Sequence, residues 1–255
     1  MTDEDKGVRS RLRDKRSILS VIDILNTRAD RAEACASLQP LCYPTLAEEE
    51  QFSAAHFRKH VQLFPEGQFM AVDRETGAVV GTTAGFLTHF DRIDPEHFKH
   101  HTFFEAIAEG WLSHHNPRGN YYYGVDMCVH PDYRGRGIAR MLHGARKALS
   151  KRLGLRGQVI GGMIPGYASY KHVMTAHEYA HYVRAGLIYD STLSTQLRNG
   201  FEFRGMLQHY LKDPPTEGWS TLLEWRNPEH VSYTAHVPVM PIQKSTGVDA
   251  GTQPA

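Results

Sequence analysis

The sequence has little of what would settle a function by composition. It carries three cysteines, Cys35, Cys42 and Cys128, an odd number with no Cys-x-x-Cys spacing. Neither a disulfide framework nor a thiolate metal cluster follows from that, and free thiols in a reducing cytoplasm are the reading. Net charge is almost absent: 29 Lys and Arg against 28 Asp and Glu leave +1 over 255 residues. A bulk electrostatic grip on nucleic acid or on an anionic membrane is therefore excluded, and neither is expected as a partner. No apolar run approaches the roughly 20 residues of a membrane helix. The opening, Met1 to Asp5, is acidic and lacks the apolar stretch of a secretory signal, so a cytoplasmic protein is expected. There is no internal repeat, no Gly-x-Ser-x-Gly elbow and no Gly-x-x-x-x-Gly-Lys-Ser/Thr loop. One residue type is abundant instead: 16 histidines raise a metal or acid–base question.

Both ends read as loose: a charged arm at 1–17 with five bases between Arg9 and Arg16, taken as solvated, and a disordered tail at 237–255 rich in Pro, Gly, Thr and Ser. Between them, 18–236 reads as one α/β domain on a mixed, mostly antiparallel sheet flanked by helices. Strands are expected at Ile18–Leu25, Gln68–Val72, Ala78–Leu87, Tyr121–His130, Gln158–Ile164, Phe201–Leu207 and Trp219–Trp225. Helices are expected at Asp30–Leu38, Glu48–Leu63, Gly137–Arg152, Thr175–Ala185 and Thr192–Arg198. The loop Asp73–Gly77 signals a hairpin, and the polar, His-rich stretch 91–119 reads as an insertion.

The chemistry concentrates in Val125-Asp126-Met127-Cys128-Val129-His130-Pro131-Asp132-Tyr133-Arg134-Gly135-Arg136-Gly137-Ile138-Ala139-Arg140. A strand enters a proline turn, then a Gly/Arg loop, then a helix. Glycines let the backbone turn tightly against a ligand. The opening of a helix offers unpaired N–H groups and the positive end of its dipole, a setting for phosphate or pyrophosphate. Local charge agrees: Tyr133 to Arg156 holds eight basic residues and no acid. The dinucleotide fingerprint fails, because Gly135-x-Gly137 is followed by Arg140.

Val-x-Pro-x-Tyr-Arg-Gly-x-Gly-Ile-Ala resembles the acetyl-coenzyme A signature of the GNAT-type N-acyltransferase superfamily, with Arg134, Gly137 and Ala139 at its Gln/Arg-x-x-Gly-x-Gly/Ala positions. Asn199-Gly200-Phe201 looks like the ending of that family's second cofactor motif. Ile164-Pro165-Gly166-Tyr167 and Gln196 to Phe201 are similar to acetyltransferase domains found beside bacterial nitrilase-type hydrolases, with no room for the hydrolase here. The resemblance implies a sheet splayed between the strands near 121–129 and 158–164, with the pantetheine arm in the gap. Backbone groups of Met127, Cys128 and Val129 would hold that arm and polarise the thioester. Arg134, Gly135, Arg136, Gly137, Ile138, Ala139 and Arg140 would hold the pyrophosphate. The implied partners are acetyl-coenzyme A, as acyl donor, and an amine on a small molecule or peptide. Dimers are common in this superfamily, so a homodimer is an open expectation.

An amine acceptor must lose a proton before attack. Strict alternation puts Tyr123, Val125, Met127 and Val129 on one face and Asp126 on the other. The base is read as either Asp126 or a water held near Tyr123, with a structural role for Asp126 as the alternative. The family's usual acid is a tyrosine where this chain has Gln196. Tyr189 or Ser194 would replace it, the thiolate would leave unassisted, or the domain would bind coenzyme A with little turnover. The rival from another class is a zinc hydrolase: His177-Glu178-Tyr179-Ala180-His181 is a literal HExxH, with Glu202 or His209 as third ligand. Against it, Thr175-x-x-Glu178 is a capping box, so no metal is expected. The histidines from His97 to His115, His100 among them, would line the acceptor pocket.

Overall fold

The computed structural model describes residues 21–98 and 101–231. The arm at 1–17, the tail at 237–255, Ile18 to Ser20 and His100 lie outside that range. Strands β1 (Ile22–Asn26), β2 (Phe69–Asp73), β3 (Val79–Thr88), β4 (Tyr121–Val129), β5 (Gly157–Met163), β6 (Glu202–Leu207) and β7 (Ser220–Arg226) pair in the order β1-β2-β3-β4-β5-β7-β6. Every neighbouring pair is antiparallel except β4 with β5. The β2–β3 hairpin is set locally: Asp73 Oδ1 accepts the amides of Glu75 (2.9 Å) and Thr76 (3.2 Å). A parallel pair needs a long crossover, and a helix supplies it here.

The helices are α1 (Ala32–Ala36), α2 (Leu38–Cys42), α3 (Ala54–Leu63), α4 (Pro95–Phe98), α5 (Phe103–Ala106), α6 (Ile138–Arg152), α7 (Ala176–Arg184) and α8 (Leu193–Arg198). Alternation along β2 divides the core: Met70 and Val72 face the side of α1, while Phe69 and Ala71 face α6. A third cluster joins α7 and α8 to β5 and β7 through Tyr179, Leu193, Ile160 and Leu223. Two expected helices are broken. The one at 30–38 is a 3₁₀ turn, Ala29–Arg31, followed by α1 and α2. The one at 48–63 starts only at α3, because Ser53 accepts the His56 amide (3.3 Å) as an N-cap, leaving a separate 3₁₀ turn at Glu48–Glu50. In the stretch 91–119, Phe98, Phe103, Ile107 and Leu112 pack into the central core.

Two features of β4 position the site. It pairs with β5 only from Tyr121 to Gly124, opposite Gly157 to Ile160, and beyond that the strands part while β5 continues along β7. The sheet is splayed as the sequence implies. The second feature is a β-bulge: Ala84 pairs with Asp126 but Gly85 with Gly124, so Val125 is the extra residue. The bulge reverses the side-chain alternation, which corrects the sequence-based assignment of faces. Tyr123 and Cys128 share the α1 side, where Asp126 meets Gln39 and Tyr43; Met127 and Val129 pack on the α6 side with Tyr122.

Candidate functional site

The parting of β4 and β5 opens a cleft of about 190 Å³ between Gly124–Met127 and Ile160–Met163. Ala139, in the first turn of α6, lines it, so the cleft reaches the Gly/Arg loop. That loop has the features of an anion site. Gly135 and Gly137 take φ of 74° and 89°, which side chains disfavour. The helical ladder of α6 begins with the Met141 amide donating to Gly137 O (3.1 Å), leaving the amides before it for a ligand. Tyr133 fixes the loop to β2 by donating to Asp73 Oδ2 (2.9 Å), and the Arg136 guanidinium lies 4.7 Å over its ring. Arg134 and Arg140 are exposed beside it, Arg134 donating through Nε to Val129 O (3.1 Å). Positive-φ glycines, a helix start and a cleft running from the first helical turn suit a pyrophosphate with an extended arm.

The structure separates the expected residues. Met127 lines the cleft, and Tyr43 holds its backbone: the Met127 N–H donates to Tyr43 Oη (3.2 Å) and its carbonyl lies 3.1 Å from the same hydroxyl. Cys128 does not line the cleft, and its fully buried thiol lies 3.4 Å from Asp126 Oδ1. Tyr123 does not line the cleft either. It is buried against Phe86 and Phe98, with its hydroxyl bonded to that of Tyr210, and burial pushes its pKa up to about 12. Asp126 does border the cleft, but donors saturate it: Thr82 Oγ1 (2.8 Å) on Oδ2, and Gln39 Nε2 (3.1 Å), Tyr43 Oη (3.2 Å) and Cys128 Sγ around Oδ1. Burial raises its pKa and these bonds oppose the rise. The geometry fits a structural acid that ties α2 to β4.

Glu50, Tyr43 and His143 also line the cleft and were not singled out from the sequence. Glu50 is 2% exposed; its Oε2 accepts the Lys212 amide (2.8 Å), while Oε1 has no protein partner. Desolvation raises its pKa. Tyr43, with its pKa pushed well up by burial, is a neutral phenol at the Met127 backbone. His143 is held neutral: burial, with Arg146 and Lys147 nearby, lowers its pKa to about 3. Gln196 lines the cleft, its side-chain oxygen buried and unpartnered. Tyr189 is 63% exposed and Ser194 accepts the Asp190 amide (3.0 Å); neither lines the cleft. Of the histidine-rich stretch, Phe103 reaches the cleft, whereas His97 packs on Phe90 and His115 accepts the Leu87 amide (3.2 Å).

The HExxH segment has the structural role its flank suggests. Thr175 Oγ1 accepts the Glu178 amide (3.3 Å), and Glu178 Oε2 accepts the Thr175 amide (2.8 Å), a complete capping box at the start of α7. His177, Glu178 and His181 are exposed, and His177 packs on the edge of Trp219. Glu202 is paired with Arg204 (2.6 Å). Among the described residues no cluster of three or more His, Cys, Asp or Glu side chains has the arrangement to hold a metal ion, and no helix is long and apolar enough to cross a membrane.

Known proteins share this architecture. A GNAT-like decarboxylase, GphF, in complex with isobutyryl-CoA superposes with a TM-score of 0.68 at 20% identity, over 80% of this chain and 99% of that one. The loading GNATL domain of CurA from Lyngbya majuscula gives 0.68 at 17% identity, over 81% and 98%. These likenesses establish the fold. By sequence, the chain is 36% identical over 209 residues to the probable hydrolase YhcX of Bacillus subtilis (strain 168), 82% of this chain but 39% of that longer protein. It is 31% identical over 207 residues to the uncharacterized N-acetyltransferase YkwB of the same organism, 81% of this chain and 89% of that protein. Residues 32–160, from α1 through the Gly/Arg loop and α6 into β5, match the acetyltransferase (GNAT) family, and the chain belongs to that family.

Proposed function

We propose that this protein transfers an acyl group from a coenzyme A thioester to an amine inside the β4/β5 cleft, with Glu50 as the base and Tyr43 as the acid. The observation that carries the reading is the continuity of the cleft: one end meets the positive-φ Gly135/Gly137 loop through Ala139, and the walls hold the free carboxylate oxygen of Glu50. The thioester supplies the activated acyl group. The amides of the α6 start and the exposed arginines hold its phosphates. Glu50 attracts an ammonium and takes its proton, and desolvation raises its pKa, which makes it a stronger base than a solvated carboxylate. The amine nitrogen then bonds to the acyl carbon, the carbon–sulfur bond breaks, the thiolate takes the Tyr43 proton, and the second nitrogen proton passes to the Tyr43 phenolate, leaving the amide, the coenzyme A thiol and protonated Glu50, which returns its proton to solvent. Tyr43 would supply the proton that Gln196 cannot, since its hydroxyl already sits on the Met127 backbone at the divergence of the strands. The name of the relative YkwB supports an amine acceptor.

The test is coenzyme A thiol release from acetyl-coenzyme A over a panel of primary amines. Turnover is expected with at least one amine, and Glu50→Gln and Tyr43→Phe should each lower kcat about 10²-fold or more, the usual weight of general acid–base catalysis. Binding of acetyl-coenzyme A without release against any amine would instead favour the binding-module reading that Gln196 suggests.

A further inference from the structure

The least explained group in the cleft is Arg146. It lies on α6 at the apex, where β4 and β5 begin to part, and is 1% exposed. Its guanidinium reaches that apex only because residue 124 is glycine: a Cβ there would lie 1.6 Å from Nη2. Nη1 donates weakly to Thr83 Oγ1 (3.3 Å), and the cation sits 4.8 Å over the Tyr122 ring. Nε and Nη2 have no partner and Nη1 is bonded to Thr83, so no carboxylate pairs with the guanidinium among the described residues. Asp126, whose field favours the cation, is already committed to Gln39, Thr82, Tyr43 and Cys128. Nearby His143 is neutral and Lys147 adds further positive charge. A buried cation with two free donors and no counter-ion is costly unless an anion completes it. The side-by-side Nε–H and Nη2–H are the donors that grip a carboxylate in two places.

We propose that Arg146 is a recognition site for a carboxylate on the substrate, so that the cleft takes ligands with a carboxyl group rather than purely neutral ones. Two substrates bring that chemistry: an acyl donor whose acyl chain ends in a carboxylate, or an amino-acid acceptor with a free α-carboxylate. The inference rests on the acyl-transfer reading above, and its test keeps the two separable. Titration calorimetry compares acetyl-coenzyme A with malonyl- and succinyl-coenzyme A, and then, with acetyl-coenzyme A present, leucine with leucinamide. Binding of acetyl-coenzyme A checks the coenzyme A reading itself. In one of the two arms the carboxylated ligand should bind about tenfold or more tighter than its neutral counterpart, the scale of a charge-assisted pair. In Arg146→Met that ratio should fall to about one, and Arg146→Lys, which keeps the charge but not the paired donors, should fall between. The wild-type comparison stands even if a variant fails to fold. Acetyl-coenzyme A binding with no carboxylate preference in either arm would overturn the inference while leaving the coenzyme A reading intact. A preference that survives in folded Arg146→Met would overturn the assignment to Arg146.

Discussion

Acidification from pH 7 to pH 5 should destabilise this fold through two histidines held neutral in its interior. His143 faces the cleft from α6, with burial and then the neighbouring Arg146 and Lys147 lowering its pKa to about 3. His60, on α3, is fully buried with Nε2 2.6 Å from Gly110 O, and burial lowers its pKa to about 4. An unfolded histidine titrates near 6.5, so between 6.5 and these values the unfolded chain binds protons that the folded chain does not. Stability is therefore complete above pH 6.5 and falls as pH drops, levelling only near the folded values. At pH 5, 1.5 units below 6.5 at about 1.36 kcal/mol per unit gives about 2 kcal/mol for each histidine. Both together remove about 4 kcal/mol, a large share of the roughly 5–15 kcal/mol that holds a typical domain. Asp126 and Glu50, whose pKa values burial raises, act in the opposite direction, so the clean comparison is between proteins. Urea unfolding of wild type and His143→Gln at pH 7 and pH 5 should show the variant losing about 2 kcal/mol less on acidification. Parallel pH dependence in the two proteins would refute the claim that His143 is held neutral inside the cleft.

Other outcomes follow from the same geometry. Thr175→Ala should cost about 1 kcal/mol by removing the α7 cap, read as a Tm lower by about 2–4 °C, and a chelator should leave the wild-type Tm unchanged; a chelator-induced loss would return the HExxH segment to metal chemistry. Gly144→Ala, on the exposed side of α6 where an added Cβ meets nothing, should raise stability by about 0.5–1 kcal/mol in thermal unfolding. Gly124→Ala should do the reverse, because its Cβ enters the space of the Arg146 guanidinium; equal stabilisation by both would contradict the placement of Arg146.

The parts of this molecule legible in its sequence are those that local chemistry specifies. The passage from β4 through Gly135 and Gly137 into α6 is written in turn residues, charge and helical periodicity, and the capping box at Thr175 outweighs the zinc pattern laid over it. The bulge at Val125 was not legible, because it arises from the pairing of β4 with β3 and leaves no mark on β4 alone. Its consequence is that two-residue alternation misassigned Asp126. Glu50 was hidden inside an acidic run that reads as a helix surface, and only the Ser53 cap and the Lys212 amide turn it inward. Arg146 was counted with the eight bases behind the loop, although its spacing from Leu142 and Leu149 puts it on the buried stripe of α6. That positional signal was available and pointed inward, against the habit of charged residues.

Binding of a coenzyme A thioester by the Gly135/Gly137 loop and the cleft beyond it is the step on which the proposed acyl transfer depends. Its most direct test is calorimetric titration of the wild-type protein and Gly137→Asp with acetyl-coenzyme A, with circular dichroism to establish that the variant is folded. Saturable one-to-one binding is expected in the wild type, with thermal stability raised by about 2.7 kcal/mol at a hundredfold excess over Kd. In Gly137→Asp, a side chain at φ 89° and a negative charge facing the phosphates should weaken binding at least about tenfold. No binding by the wild type, or equal affinity in a folded Gly137→Asp, would contradict the account.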